Sequence, residues 1–257
     1  MLVIIDYDAG NIKSVEKALI ALGEEVVLTR DANQILAADG VILPGVGAFG
    51  DAMGKLRSYG LVEVIRQCVA QNTPFLGICL GLQLLFESSE ESPGVEGLHV
   101  LDGKILRLPD TPELKIPHIG WNDLHFPNKG RLFEGIAEQP YVYFVHSYYL
   151  QAADEAIVTA TTEYGTRIHA SVEKGNVFAC QFHPEKSSTV GLQILENFVQ
   201  ITKQNTIEQS AARQKQNTAE QSAARQKQNT AGQNAARQKQ NTIEQSAAGQ
   251  STGEDEK

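Results

Sequence analysis

Long hydrophobic runs are missing from this 257-residue chain, and no stretch approaches the roughly 18 apolar residues that cross a bilayer. The N-terminus, Met1-Leu2-Val3-Ile4-Ile5-Asp6, also lacks the basic region of a secretory leader. We therefore expect a soluble, cytoplasmic protein with no membrane partner. Cysteine is scarce: Cys68, Cys79 and Cys180 are an odd number without a secretory signal, which argues against a disulfide framework. Positive charge is in deficit. Residues 1–203 hold 15 Lys+Arg against 25 Asp+Glu, a net −10 that would repel a phosphate backbone, so no nucleic-acid partner is expected. Metal-ligand spacing is lacking too. His99, His118, His125, His146 and His169 form no i,i+4 pair and have no Cys-x-x-Cys companion, so neither metal nor cofactor is expected.

What is present is enough apolar material, 42% of residues, to build a packed core. Leu2-Val3-Ile4-Ile5 is a short apolar run, and Ile12, Val15, Leu19 and Leu22 then recur at helical spacing up to Gly23. Further strands are expected at Glu25–Thr29, Val41–Leu43 and Pro74–Ile78, with Leu61, Ile65, Cys68 and Val69 marking a helical face before the last. Such alternation predicts a mostly parallel central sheet with flanking helices. After about residue 100 the pattern becomes closely spaced strands, at Tyr141–Leu150, Ala156–Thr161, Ile168–Val172 and Val177–Phe182. These predict an antiparallel extension of the sheet. A final helix is expected from Val190, Ile194, Leu195, Phe198 and Val199, capped by Ser187 or Ser188.

The domain is expected to occupy residues 1–203. From Gln204 the chain repeats with a period of twelve, restarting at Gln216, Gln228 and Gln240, almost without large apolar residues. Twelve fits neither the seven- nor the eleven-residue coiled-coil period, and recurrent Ala alone cannot bury enough surface to offset ordering entropy. Residues 204–257 are therefore expected to be a disordered or transiently helical tail, and a neutral repeat expansion accounts for them more simply than an interaction arm.

Chemistry concentrates in three places. Strand Pro74–Ile78 runs into Gly77-Ile78-Cys79-Leu80-Gly81, a strand-to-helix elbow in which flanking glycines relieve crowding and the sulfur is presented beside a helix N-terminus that favours thiolate. Taken alone, the pentapeptide fits a buried packing cysteine equally well. The strand Asn176–Phe182 ends in His183-Pro184-Glu185. Proline biases His183 towards extended geometry, so Glu185, two residues on, can point to the same side and orient the imidazole. A solitary histidine is usually structural; beside an elbow cysteine and a paired carboxylate, a base becomes the better reading. Cys68 and Cys180 read as packing. The loop Pro44-Gly45-Val46-Gly47 follows a strand, and its backbone N–H groups, with that of Leu80, could hold an oxyanion. Its match to G-x-G-x-x-G does not suggest a dinucleotide, because the acid expected some 20 residues on is replaced by Val69-Ala70-Gln71.

Together the elbow Gly77–Gln83, the Pro44–Gly47 loop and His183-Pro184-Glu185 resemble triad-type glutamine amidotransferases. Within that group Ile4-Ile5-Asp6-Tyr7 with Gly10-Asn11, Pro117–Asn122, Tyr143–Tyr148 and His183–Ser187 look like the glutaminase subunits of imidazole glycerol phosphate synthases, over residues 1 to about 201. The resemblance implies a flavodoxin-like amidotransferase fold and glutamine hydrolysis to glutamate and ammonia by Cys79, His183 and Glu185. It implies an oxyanion site at Gly45, Val46, Gly47 and Leu80, and glutamine-binding positions at Gln83, Ser147 and Tyr148. It also implies docking through His118, Gly120, Trp121 and Asn122 onto a (β/α)8-barrel cyclase, as a heterodimer that receives the ammonia for histidine biosynthesis. Asp8 stands where the family usually has glycine, and the repeat lies outside the family pattern. Rival readings are a sibling subunit serving another ammonia acceptor, such as anthranilate synthesis, and a non-catalytic module that keeps the fold for assembly.

Overall fold

The computed structural model describes residues 1–112 and 114–250, in two compact units, Met1–Thr206 and Ile207–Lys257. In the first unit, β1 (Leu2–Ile5), β2 (Val26–Thr29), β3 (Gly40–Gly45) and β4 (Phe75–Cys79) alternate with α1 (Ile12–Ala21), α2 (Ala32–Leu36), α3 (Phe49–Ser58) and α4 (Leu61–Ala70). The single-turn α5 (Leu80–Leu84) follows β4 directly. Next come β5 (Ser88–Ser89), β6 (Gly103–Arg107), β7 (His118–Asp123), β8 (Tyr141–His146) and β9 (Tyr148–Ala152). β10 (Val158–Glu163), β11 (Arg167–Lys174), β12 (Val177–Cys180) and α6 (Ser188–Gln250) complete the chain order.

The main sheet runs β10-β11-β12-β4-β3-β1-β2. Its five strands from β12 to β2 pair in parallel, and β11 and β10 add an antiparallel edge. β1 and β4 are buried on both faces, which is why Leu2–Ile5 and Phe75–Cys79 read as continuous apolar runs rather than alternating ones. One face carries a core of Phe49, Leu56, Ile65 and Phe86; the other packs Val15, Leu19, Phe144, Phe178 and Phe198. Cys68 and Cys180 lie in these cores, fully buried. Burial pushes the Cys68 thiol up to about 11 and holds the Cys180 thiol well above its ordinary range.

One strand expectation needs correction. Tyr141–Leu150 is not a single strand of the main sheet: it breaks at Ser147 into β8, paired with β7, and β9, paired with β6. Hydrophobic pattern alone cannot register a break that redirects the chain without changing its polarity. Ser187 begins α6 as expected, its carbonyl accepting from the Gly191 N–H, but its hydroxyl bonds elsewhere and does not cap. The first unit closes a little past residue 203: Thr202 and Asn205 are buried, and the Thr206 hydroxyl donates to Asp39. The second unit is helical from Ile207 to Gln250, with Ile207 and Ile243 exposed. The remaining seven residues of the repeat-bearing segment, 251–257, lie outside the described residues. Among the described residues no helix is long and apolar enough to cross a membrane.

Two glycines test how tightly the elbow is built. A Cβ on Gly81 would meet the Leu43 carbonyl oxygen at 1.8 Å, so backbone would have to move, whereas one on the exposed, helical Gly54 meets nothing. In urea unfolding, Gly81→Ala is expected to destabilise by more than about 3 kcal/mol. Gly54→Ala is expected to stabilise by about 0.5–1 kcal/mol.

Candidate active site

The site forms where β3, β4 and β12 end side by side. In-register pairing sets Gly45 beside Cys79 and Ile78 beside Cys180, so the residues just after β12 arrive next to the cysteine. Cys79 itself has φ 55° and ψ −108°, a strained conformation for a residue with a side chain, worth roughly 1–3 kcal/mol, which the surrounding structure must hold. The expected helix after it is only Leu80–Leu84, one turn, before the chain leaves towards β5.

His183 and Glu185 meet as expected. His183 Nδ1 lies 2.8 Å from Glu185 Oε1, and both side chains are almost fully buried. Sequence reading did not assign a role to Asn11, which donates from Nδ2 to the same Glu185 oxygen at 2.8 Å. Asn11 sits at φ 64° before α1, a left-handed position that asparagine tolerates, and its Oδ1 accepts from Ser14. The His183 backbone N–H donates to the Tyr143 carbonyl of β8. The Ser187 hydroxyl donates to His183 O and accepts from Tyr143 N, fixing the loop from a second side. Burial works against charge on His183, but the Cys79 sulfur and then Glu185 outweigh it, raising its pKa to about 9. Its Nε2 is buried without a well-formed hydrogen bond, a looseness common in sites that tighten around substrate.

A cavity of about 280 Å³ opens at the sulfur, lined by Val46, Gly47, Cys79, Leu80, Gln83, Glu91, Pro117 and Val145–Tyr148. The size suits an amino acid rather than a nucleotide. Of the expected oxyanion residues, Val46, Gly47 and Leu80 line it, while Gly45 lies behind, beside His183 and Glu185. A Cβ on Gly45 would strike the Tyr7 hydroxyl at 2.4 Å, and that hydroxyl donates to Pro44 O, pinning the loop's base. Gln83, Ser147 and Tyr148 all reach the cavity, although the Gln83 amide nitrogen is already committed to Tyr148 O at 2.9 Å and Gln181 Oε1 at 3.1 Å. Glu91, which sequence reading passed over, is the sole carboxylate among the lining residues; its Oε2 accepts from the Phe49 N–H at the start of α3.

The residues expected at a partner interface divide. Trp121 is half exposed on β7, next to Ile119 and, on β8, Tyr141, whereas the His118 side chain turns inward. It stacks against Tyr164 and Phe144 and reaches His146 Nε2 from Nδ1 at 3.1 Å. Gly120 takes φ 139°, and Asn122 Nδ2 donates to Glu163 O. Burial drives His118 down to about 4, and burial followed by His118 drives His146 to about 3, so this pair is neutral at pH 7. Among the described residues no cluster of three or more His, Cys, Asp or Glu could hold a metal.

A buried cysteine on an elbow, a histidine held by a carboxylate and a small open cavity define the class: a cysteine-dependent hydrolase on a parallel α/β sheet, able to attack a carbonyl and protonate its leaving group. The chain belongs to the class-I glutamine amidotransferase family, whose sequence profile matches residues 3–201. It is 53% identical over 200 residues to the imidazole glycerol phosphate synthase subunit HisH of Moorella thermoacetica, covering 78% of this chain and 94% of that one. With the subunit of the same name from Methanothermobacter thermautotrophicus it shares 47% identity, over 79% of this chain and all of the relative. Among solved structures, a glutamine amidotransferase superposes with a TM-score of 0.61 at 22% identity, over 78% of this chain and 98% of that one. The acivicin-bound glutaminase domain of Trypanosoma brucei CTPS gives 0.56 at 17%, over 77% and 93%; likeness at this level speaks for the fold.

The raised pKa of His183 sets a direction for stability. Its folded value lies above the ordinary 6.5, so the folded chain keeps a proton that the unfolded chain releases. That contribution is complete below about pH 6.5 and gone above about 9. Urea unfolding from pH 6 to 10 is expected to show stability falling across that window, and His183→Asn should flatten the fall.

Proposed function

We propose that this chain is the glutaminase subunit of an imidazole glycerol phosphate synthase and works in the cytoplasm. The observation that carries the reading is a His183–Glu185 pair beside Cys79, which opens on an amino-acid-sized cavity, in a family of glutamine amidotransferases. In this reading the Cys79 thiolate attacks the side-chain amide carbon of glutamine. The developing oxyanion is held by backbone N–H groups of the Val46–Gly47 loop and Leu80. His183 gives its proton to the departing nitrogen, and ammonia leaves a glutamyl thioester. His183, now neutral, takes a proton from water as it attacks; the C–S bond breaks and glutamate departs. Glu185, itself held by Asn11, fixes the imidazole and balances its charge.

Substrate selection follows from the lining. Glu91 receives the α-ammonium group, and Ser147 and Tyr148 line the same cavity with Gln83. Ammonia then passes to a (β/α)8-barrel cyclase, docked as a heterodimer partner, which makes imidazole glycerol phosphate and the aminoimidazole carboxamide ribonucleotide of histidine biosynthesis. The exposed apolar trio Ile119, Trp121 and Tyr141 on the β7–β8 hairpin supports a protein partner at this face. The repeat from residue 204 is a tail outside the chemistry, because it offers almost no large apolar or reactive group.

The test is glutamate release from glutamine, measured for the chain alone and with a cyclase barrel and its nucleotide substrate. Strong stimulation by the barrel is expected, and Cys79→Ala should lower turnover at least about 1,000-fold. Equal rates with and without the barrel would remove the proposed partner, while near-normal turnover by Cys79→Ala would remove the nucleophile. Replacing Trp121 with Ala should weaken barrel binding by about tenfold or more while the subunit's own unfolding midpoint stays in place, readable by calorimetric titration.

A further inference from the structure

Beyond the triad, the hydrogen bonds around Cys79 single out a residue with no role in the reading above. Gln181 is completely buried, lies two residues before His183, and has its Nε2 3.8 Å from the Cys79 sulfur. β12 runs parallel beside β4 with Cys180 next to Ile78, so the residue after Cys180 arrives level with Cys79 and its amide reaches the sulfur.

Which end of this amide meets the sulfur follows from its neighbours. The Tyr148 carbonyl can only accept, so the end of Gln83 lying 2.9 Å from it must be the NH2. That nitrogen has a second hydrogen, and the group 3.1 Å away must also be an acceptor, which makes it Gln181 Oε1. The Gln181 nitrogen is then left at the sulfur. His146 Nδ1, 2.9 Å from the same Tyr148 carbonyl, holds the start of the series in place. A backbone carbonyl thus sets, through two buried amides, a donor pointing at the reactive atom.

We propose that Gln181 is a catalytic residue that donates an amide N–H to the Cys79 thiolate, and that Gln83 is the positioning residue that keeps this donor from flipping. The donor favours thiolate over thiol in the resting enzyme. It does so again when the C–S bond of the thioester breaks and sulfur regains the electron pair, while water has given its proton to His183. Gln181 lines no part of the cavity, so it acts on the sulfur and not on glutamine binding. The inference rests on the reading of Cys79 as nucleophile.

The test is the pH profile of Cys79 alkylation by iodoacetamide in the full-length chain, with the label located by peptide mass spectrometry, beside steady-state glutaminase kinetics. In Gln181→Met, which keeps the bulk but lacks the N–H, alkylation at pH 7 is expected to be about tenfold slower and its profile to move to higher pH, equivalent to one unit. kcat should fall by a similar factor with KM within twofold. Gln83→Met should slow alkylation in the same direction, and the double variant should match Gln181→Met rather than add to it. Gln181→Glu is isosteric and serves if the methionine variant does not fold; a carboxylate beside the sulfur should slow alkylation at least as much. Alkylation rates within twofold of wild type in whichever of the two Gln181 variants folds would overturn the proposal. A Cys79→Ala variant that still hydrolyses glutamine would instead overturn the nucleophile reading beneath it, so the two failures are distinct.

Discussion

The register of three parallel strands is the constraint on which the site depends. β3, β4 and β12 run side by side with Gly45 beside Cys79 and Cys180 beside Ile78. One step further along β12 brings Gln181 to the sulfur, and two more bring His183. In a strand the side-chain period is two, so a one-residue slip of β12 would move Phe178 and Cys180 off the apolar face they share and carry Gln181 and His183 away from Cys79. Burial of Phe178, Cys180 and Phe182 within one apolar cluster opposes that slip strongly. The core on one face of the sheet therefore sets the chemistry at its end.

The elbow converts that register into a sulfur placed at the cavity, and sterics dictate its glycines. A Cβ on Gly77 would approach the Gly81 carbonyl to 2.8 Å, and one on Gly81 would run into Leu43 of the adjoining strand. Only with both side chains missing can the chain turn from β4 into α5 at Cys79 and hold φ 55° there. Tyr7 closes the construction from the next strand but one: its hydroxyl bonds Pro44 O, and burial raises its pKa, so it stays a neutral donor. The Pro44–Gly47 loop is consequently anchored at its base, while Val46 and Gly47 reach the cavity.

Much of this was legible in the sequence because it is local. The β–α alternation, the glycine-flanked cysteine and the His-Pro-Glu turn each lie within a few residues and carry their own physical signal. What was not legible depends on residues distant in the chain. Asn11 meets Glu185 across 174 positions and Gln181 meets Cys79 across 102, and neither pairing leaves a mark in spacing. Gln181 lies just past the end of β12, and it is the pairing of β12 with β4 that brings it to the sulfur. The break at Ser147 was harder. Both halves of Tyr141–Leu150 are strand-like, and only tertiary pairing sends one to β7 and the other to β6.

Three of the buried histidines show why position matters more than residue type here. His118 and His146 lie among Phe144, Tyr164 and each other, with no carboxylate in contact among the described residues, and burial empties them of charge. His183 is as thoroughly hidden from solvent, but the Cys79 sulfur and Glu185 reverse the outcome. The proton is therefore held on the imidazole beside Cys79, while the neutral pair forms a fixed chain of donors ending on Tyr148 O. β8 touches both systems: it carries His146, bonds His183 through Tyr143, and brings the Val145 carbonyl to 4.0 Å from the Cys79 sulfur. Its outer side carries Tyr141 and lies against Trp121 of β7. A strand that is exposed to solvent along one side and bonded along the other to the groups around Cys79 and His183 cannot shift at one without altering the other.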